Sequence, residues 1–149
     1  MGDSQSGQMD DEERDEFLTT GGTGVVSFST GSDEAPYSRP VSYGYDAATG
    51  HFYFRFAIGP NREKSEFVDH PISFVTYDQG ESGWRSVIAT GTVDDVETAD
   101  IDSEIIDGMR RVDIPLVDIF DRPSREVSFQ FFHFVPDELT SRKEIRTED

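Results

Sequence analysis

The sequence predicts a mainly β protein, a small antiparallel barrel of about six strands with short helices packed outside it. Two observations carry that expectation. Apolar runs, several alternating with polar residues, recur at short intervals and are separated by Gly, Pro, Asn and Asp, which is the pattern of strands joined by turns. Only residues 10–18, 62–70 and 99–109 carry helical signals, all of them short, so helices take a peripheral place.

In chain order, residues 1–9 hold little to bury and are expected to form a disordered tail ahead of a single domain over 10–149. From Asp10, acids lead to Phe17 and Leu18, a helix start with favourable negative charge in its first turn, stopped by Gly21 and Gly22. Val25, Val26 and Phe28 make a strand bounded by Gly24 and Gly31, and an extended stretch follows from Tyr37 to Tyr45 around Pro40. After a turn at residues 46–50, Phe52, Phe54 and Phe56 alternate with Tyr53 and Arg55, so the three Phe share one face. Pro60 and Asn61 break that strand, and a short helix is expected up to Pro71. Residues 72–77 and 84–96 are the next strands, with Gly91 marking a bulge or a barrel corner. Ile101, Ile105 and Ile106 have helical spacing, and Val127, Phe129, Phe131 and Phe134 close the chain as a last strand with its Phe side chains in the core.

The composition sets limits on function. The chain of 149 residues has no cysteine, which excludes disulfides, thiolate metal sites and a catalytic thiol. No run approaches the roughly 18 apolar residues of a membrane-spanning helix, and the first residues are acidic where a signal peptide is basic and then apolar. A cytoplasmic protein with no membrane partner is expected. Thirty-one acidic against thirteen basic residues give a net charge of −18, which argues against nucleic acid as a partner and implies self-repulsion at low salt. Only Lys64 and Lys143 are lysines. A carboxylate-rich, lysine-poor chain resembles cytoplasmic proteins of microbes that accumulate molar salt, while twelve phenylalanines and 34% hydrophobic residues argue for a packed core.

Positive charge is concentrated where it is scarce. Arg55, Arg62 and Lys64 fall close together, and the segment Gly59-Pro-Asn-Arg-Glu-Lys-Ser supplies an arginine fork, a lysine and the backbone N–H groups of a helix start, the donors a phosphate monoester needs. An ordinary solvated helix start with local ion pairs would read the same way. In Pro36-Tyr-Ser-Arg-Pro-Val-Ser-Tyr, Pro40 removes a ladder donor and holds Arg39 extended. Main-chain groups left free there could serve the edge of a planar heterocycle, with Tyr43, Phe54 or Trp84 along its ring; an edge strand with core aromatics is the plainer alternative. His51, His70 and His133 lie on separate elements without metal-ligand spacing, so no metal is expected.

These stretches carry a resemblance. Gly24-Val-Val-Ser-Phe, Pro36-Tyr-Ser-Arg-Pro-Val, His51-Phe-Tyr-Phe-Arg-Phe-Ala, Arg62-Glu-Lys-Ser, His70-Pro, Trp84-Arg-Ser-Val-Ile-Ala-Thr-Gly-Thr-Val and the ending Val135-Pro-Asp-Glu-Leu-Thr-Ser-Arg-Lys, in that order, resemble the landmarks of the pyridoxamine 5'-phosphate oxidase-like, FMN-binding split-barrel superfamily. The resemblance implies an FMN cofactor, with Arg39, Pro40, Val41 and Ser42 along the isoalloxazine edge and Phe54, Arg55, Phe56 and Ala57 flanking the ribityl and phosphate region. It implies Lys64, supported by Arg62, on the phosphate. It also implies a homodimer in which Trp84, Arg85 and Ser86 approach the flavin from the partner chain. Asn61-Arg-Glu-Lys stands where the family often has Gly-Arg-Lys. The implied activity is an FMN-dependent oxidoreductase acting on a small-molecule substrate, with a nicotinamide or deazaflavin electron donor. A flavin carrier or sensor without turnover, or a haem-utilisation member of the superfamily, are the alternatives. No general acid or base is assigned, since a flavin performs its own hydride chemistry.

Overall fold

The computed structural model describes residues 4–29, 33, 35–58, 70–81, 83–95, 103–115 and 128–146. They form strands β1 (Ser4–Gln8), β2 (Gly21–Phe28), β3 (Tyr37–Asp46), β4 (His51–Ile58), β5 (Pro71–Gly80), β6 (Gly83–Asp95) and β7 (Ser128–Arg146), with helices α1 (Asp11–Leu18) and α2 (Ser103–Arg111). Every pairing is antiparallel. The sheet runs β7-β4-β3-β2-β5-β6, and β6 pairs back onto β7, closing a six-stranded barrel. The expected fold class stands.

β7 makes the closure possible. Its first part pairs with β4 at residues 128–134 and its later part with β6 at residues 132–143. The ladder between β6 and β7 shifts register between Thr90 and Gly91, opposite Pro136. Gly91 was read as a bulge or corner, and Pro136, which has no N–H to give, is tolerated there for the same reason. The last strand therefore continues to Arg146 rather than ending near Val135. Ser4–Gln8, expected to be a tail, pairs with Arg142–Arg146 as β1. Its backbone groups find partners on β7 although its side chains offer little to bury, a gain that composition does not register.

The inner face is aromatic. Phe52, Phe54, Phe74, Phe132 and Phe134 are fully buried, with Tyr43, Tyr45, Val26, Val41 and Val87 beside them. Antiparallel partners share a face, so the pairs Tyr43 with Phe54, Tyr45 with Phe52, Phe52 with Phe134 and Phe54 with Phe132 set the core in register. Phe131, expected in the core, pairs with Arg55 on the opposite face and is only half-buried. The run of Phe in β7 has both parities, and Phe132 and Phe134 win the interior.

α1 covers one end of the barrel. Asp10 caps it, accepting from the Glu13 N–H at 2.8 Å, and Asp11, Glu12 and Glu13 face the positive end of the helix. It ends at Thr19, whose φ is 54°, and Gly21 and Gly22 already belong to β2. Leu18 is fully buried, the Tyr43 hydroxyl donates to its carbonyl at 3.1 Å, and the Tyr45 hydroxyl donates to Asp15 at 2.7 Å. Burial pushes the Tyr43 hydroxyl up to about 12, and burial together with Asp15 does the same for Tyr45, so both stay protonated donors. Lys143 of β7 bonds Glu13 at 2.6 Å.

α2 and the residues after it cover the outer face of β3 and β4 around Gly44, Asp46 and Tyr53. Gly44 leaves room for Val112 and Ile114, and Gly108 seats α2 against the Tyr53 ring. Asp46 anchors this layer: Arg111 donates to it at 2.9 and 2.7 Å, Ala48 N–H at 3.1 Å and the Thr49 hydroxyl at 2.8 Å. The Arg111 hydrogen bonds hold the carboxyl of Asp46 below its ordinary range even though burial opposes them. A depressed folded-state value contributes stability that is complete above the unfolded value of about 3.9 and is lost as pH falls through the folded value. Asp46→Asn should therefore unfold with a shallower loss of Tm below about pH 4 than the parent chain. Tm measured against pH for both proteins checks this, and parallel curves would remove Asp46 from the account of acid stability.

Candidate functional site

The outer face of β3 and β4 brings part of the expected cofactor set together. Pro40 is the partner of Val25, Ser42 the partner of Thr23 and of Arg55, and Arg55 the partner of Phe131. Pro40, Ser42 and Arg55 thus occupy one patch on neighbouring strands. The half-buried Arg55 guanidinium is a donor suited to an anion, whereas Ser42 is only 3% exposed.

The alternate residues point the other way. Val41 and Phe54 are core side chains, 1% and 0% exposed, so any contact they make with a molecule on the outer face must come from their backbone. Arg39 lies opposite core Val26, with its guanidinium 5.7 Å over the Tyr37 ring. The side chains of Phe56 and Ala57, and all of Arg62 and Lys64, lie outside the described residues.

Trp84 and Ser86 stand on the outer face of β6, across β2 and β5 from β3. Three strand spacings separate that strand from Ser42, roughly 14 Å around the barrel. One chain therefore does not bring the two groups together. Trp84 packs on Tyr77 with ring centroids 5.6 Å apart and an angle of 31° between them, and both rings are open to solvent. Val25, partner of Val75, and Ile88, also partner of Val75, extend the exposed apolar strip. Tyr77, Val25 and Ile88 were not singled out in the sequence, where each read as one more strand residue. Only the pairing of β2, β5 and β6 shows that they meet. Arg85 has the opposite parity, with its guanidinium 4.9 Å over the Phe17 ring and 3.7 Å from Asp78.

Two further features lie elsewhere on the surface. His51 and His133, expected to be independent, have Nδ1 and Nε2 2.9 Å apart. Beside them an open cleft of about 280 Å³ is lined by Arg14, Tyr45, Thr49, His51, Pro136 and Asp137 among others. It contains none of the expected cofactor residues. Its one arginine is already held by Asp11 at 3.2 Å and Asp15 at 3.1 Å, so the cleft offers no uncompensated positive charge for a phosphate.

Comparison with known proteins adds to this geometry. A family model described as pyridoxamine 5'-phosphate oxidase matches residues 10–143. No curated protein matches the chain. Among solved structures, a Corynebacterium glutamicum protein provisionally described as a pyridoxamine 5'-phosphate oxidase shares 19% identity and a TM-score of 0.66, covering 96% of this chain and 100% of that one. An FAD binding protein from Mycobacterium smegmatis shares 14% identity and a TM-score of 0.65, covering 95% and 100%. An FAD-binding protein from Mesorhizobium loti shares 16% identity and a TM-score of 0.60, covering 97% and 99%. At these identities the likeness is one of fold.

Proposed function

The chain belongs to the pyridoxamine 5'-phosphate oxidase family, and from that premise we propose that it is an FMN-binding oxidoreductase acting on a small molecule. The observation that carries the proposal is the family match over residues 10–143. The outer-face patch supports it, because Arg55 fits the phosphate end of a flavin and the exposed Tyr77 and Trp84 rings fit a planar heterocycle. Arg62 and Lys64 are proposed as the main phosphate donors. When bound, the flavin supplies the hydride chemistry, with a nicotinamide or deazaflavin as electron source. The protein's share is to hold the phosphate, to align the ring along the backbone of residues 39–42 and to cover it.

The roughly 14 Å between Ser42 and the strand of Trp84 favours a site completed by a second copy of the chain. The exposed strip of Val25, Tyr77, Trp84 and Ile88 has the apolar character of a subunit interface. A homodimer is therefore part of the proposal. A second reading, FAD in place of FMN, is favoured by the descriptions of two similar structures. Titration with FMN, FAD and riboflavin in molar potassium chloride, followed by flavin fluorescence, separates the readings. FMN should bind most tightly; tighter FAD binding would replace the cofactor, and no binding of any of the three would remove the flavin proposal.

We also propose a salt-adapted cytoplasmic protein, on the net charge of −18. Among the described residues, no helix is long and apolar enough to cross a membrane. Raising potassium chloride from low to molar concentration should raise Tm, because screening weakens repulsion among the carboxylates. A midpoint independent of salt would refute the adaptation.

A further inference from the structure

We propose that His51 and His133 form a two-histidine site for one divalent transition-metal ion of the Ni²⁺, Cu²⁺ and Zn²⁺ class. The sheet creates the pair. Tyr53 is the partner of His133 across β4 and β7, so His51, two residues earlier on β4, is the diagonal neighbour of His133 on the same outer face, within reach of a long side chain. Nδ1 of His51 and Nε2 of His133 are 2.9 Å apart. At that distance one nitrogen donates and the other accepts, so two imidazoles converge on a single shared proton.

A metal ion competes with that proton for the same two nitrogens. Metal–nitrogen distances of about 2.0–2.1 Å in tetrahedral geometry place two ligand nitrogens about 3.3 Å apart, so the nitrogens must part by about 0.4 Å from their present 2.9 Å and each ring must turn by about 35° for both lone pairs to meet at the ion. Their surroundings favour the exchange. Tyr53 packs on His133 with ring centroids 5.1 Å apart, and Gly108 of α2 closes over Tyr53, which fixes the buried ring. His51 lines the open cleft, which gives an ion a path from solvent. Asp94 is the partner of His133 on β6, Asp46, held by Arg111, is the partner of His51 on β3, and Asp137 lines the cleft with Arg14, itself paired with Asp11 and Asp15, so carboxylates outnumber arginines around an incoming dication.

Among the described residues, no three His, Cys, Asp or Glu side chains form a metal cluster. Two imidazoles are then the protein's share, and water completes the shell. Imidazole ligation selects borderline cations over Mg²⁺ and Ca²⁺, which take oxygen ligands. This distinction matters in a chain with 31 carboxylate side chains, whose oxygens are the ligands hard cations take.

The test uses the full chain without a histidine tag, in molar potassium chloride with excess Mg²⁺ to occupy the carboxylates. Calorimetric titration with Zn²⁺ should give one saturable ion per chain. His51→Gln should weaken it at least tenfold, and His70→Gln, at an exposed histidine, should leave it unchanged. His133 is buried and its replacement could unfold the chain, so a second readout uses the parent protein alone. Its stoichiometric Cu²⁺ adduct should show coupling to two imidazole nitrogens by electron paramagnetic resonance. A Zn²⁺ affinity equal in the parent and His51→Gln, no saturable ion in excess Mg²⁺, or a Cu²⁺ spectrum without two nitrogen couplings would each overturn the site and leave a hydrogen-bonded pair that holds only a proton. None of these results depends on whether the chain binds a flavin.

Discussion

Phe52→Ala should cost about 3–5 kcal/mol of folding free energy, the range for removing a buried aromatic ring. Phe52 is 0% exposed and meets five rings, with centroids at 6.0 Å for Tyr43, 4.9 Å for Tyr45, 6.2 Å for Phe54, 5.4 Å for Phe74 and 6.0 Å for Phe134. Those partners come from β3, β4, β5 and β7, so the barrel wall cannot collapse into the space without moving several strands. Domains of this kind are stable by about 5–15 kcal/mol in total, so the loss is a large fraction of the whole. Urea unfolding should show a lower midpoint at unchanged slope. Phe131→Ala is the matched control, since Phe131 is half-buried on the outer face and should cost clearly less. Equal losses would mean that the parity of β7, and with it the register of the barrel, is wrong.

Lys64→Ala should weaken FMN by roughly 1.5–3 kcal/mol, the scale of a hydrogen bond to a charged group, or about 10- to 150-fold in Kd. Only Lys64 and Lys143 are lysines in a chain of net charge −18, so a phosphate finds few places to bind. Riboflavin has no phosphate and should bind both proteins alike, which makes it the internal control. Lys143 is not a neutral control, because it bonds Glu13 at 2.6 Å and its loss can loosen α1. Equal weakening of FMN and riboflavin would show that Lys64 supports the local fold and does not hold the phosphate.

Much of the barrel was legible because its wall is built from strict alternation. Phe52 and Phe54 read as one face of β4, and both are buried; Gly91 read as an irregularity, and the ladder shifts there. Alternation fails where both parities are apolar, which is why Phe131 was expected inside and Phe132 was passed over. It also fails where stability comes from the backbone, as in β1, whose Ser, Gln and Gly residues gain partners only once β7 is in place. Tyr53 read as an outer-face residue yet is 1% exposed, since α2 covers it and strand periodicity carries no knowledge of a layer above. Proximity across the sheet is the least legible property. His51 and His133 are 82 residues apart in sequence, and only the register of β4 on β7 joins them. The same holds for Ser42 and Arg55, whose pairing depends on the length of the turn after Asp46.

The central claim is that this barrel carries a flavin, and the visible absorption spectrum of the purified protein in molar potassium chloride tests it most directly. The account predicts the two bands of an oxidised flavin, either as isolated or after adding FMN and removing the excess, with their loss on reduction by dithionite. A protein that remains folded by circular dichroism, shows neither band, and retains no FMN or FAD after the excess is removed would contradict it.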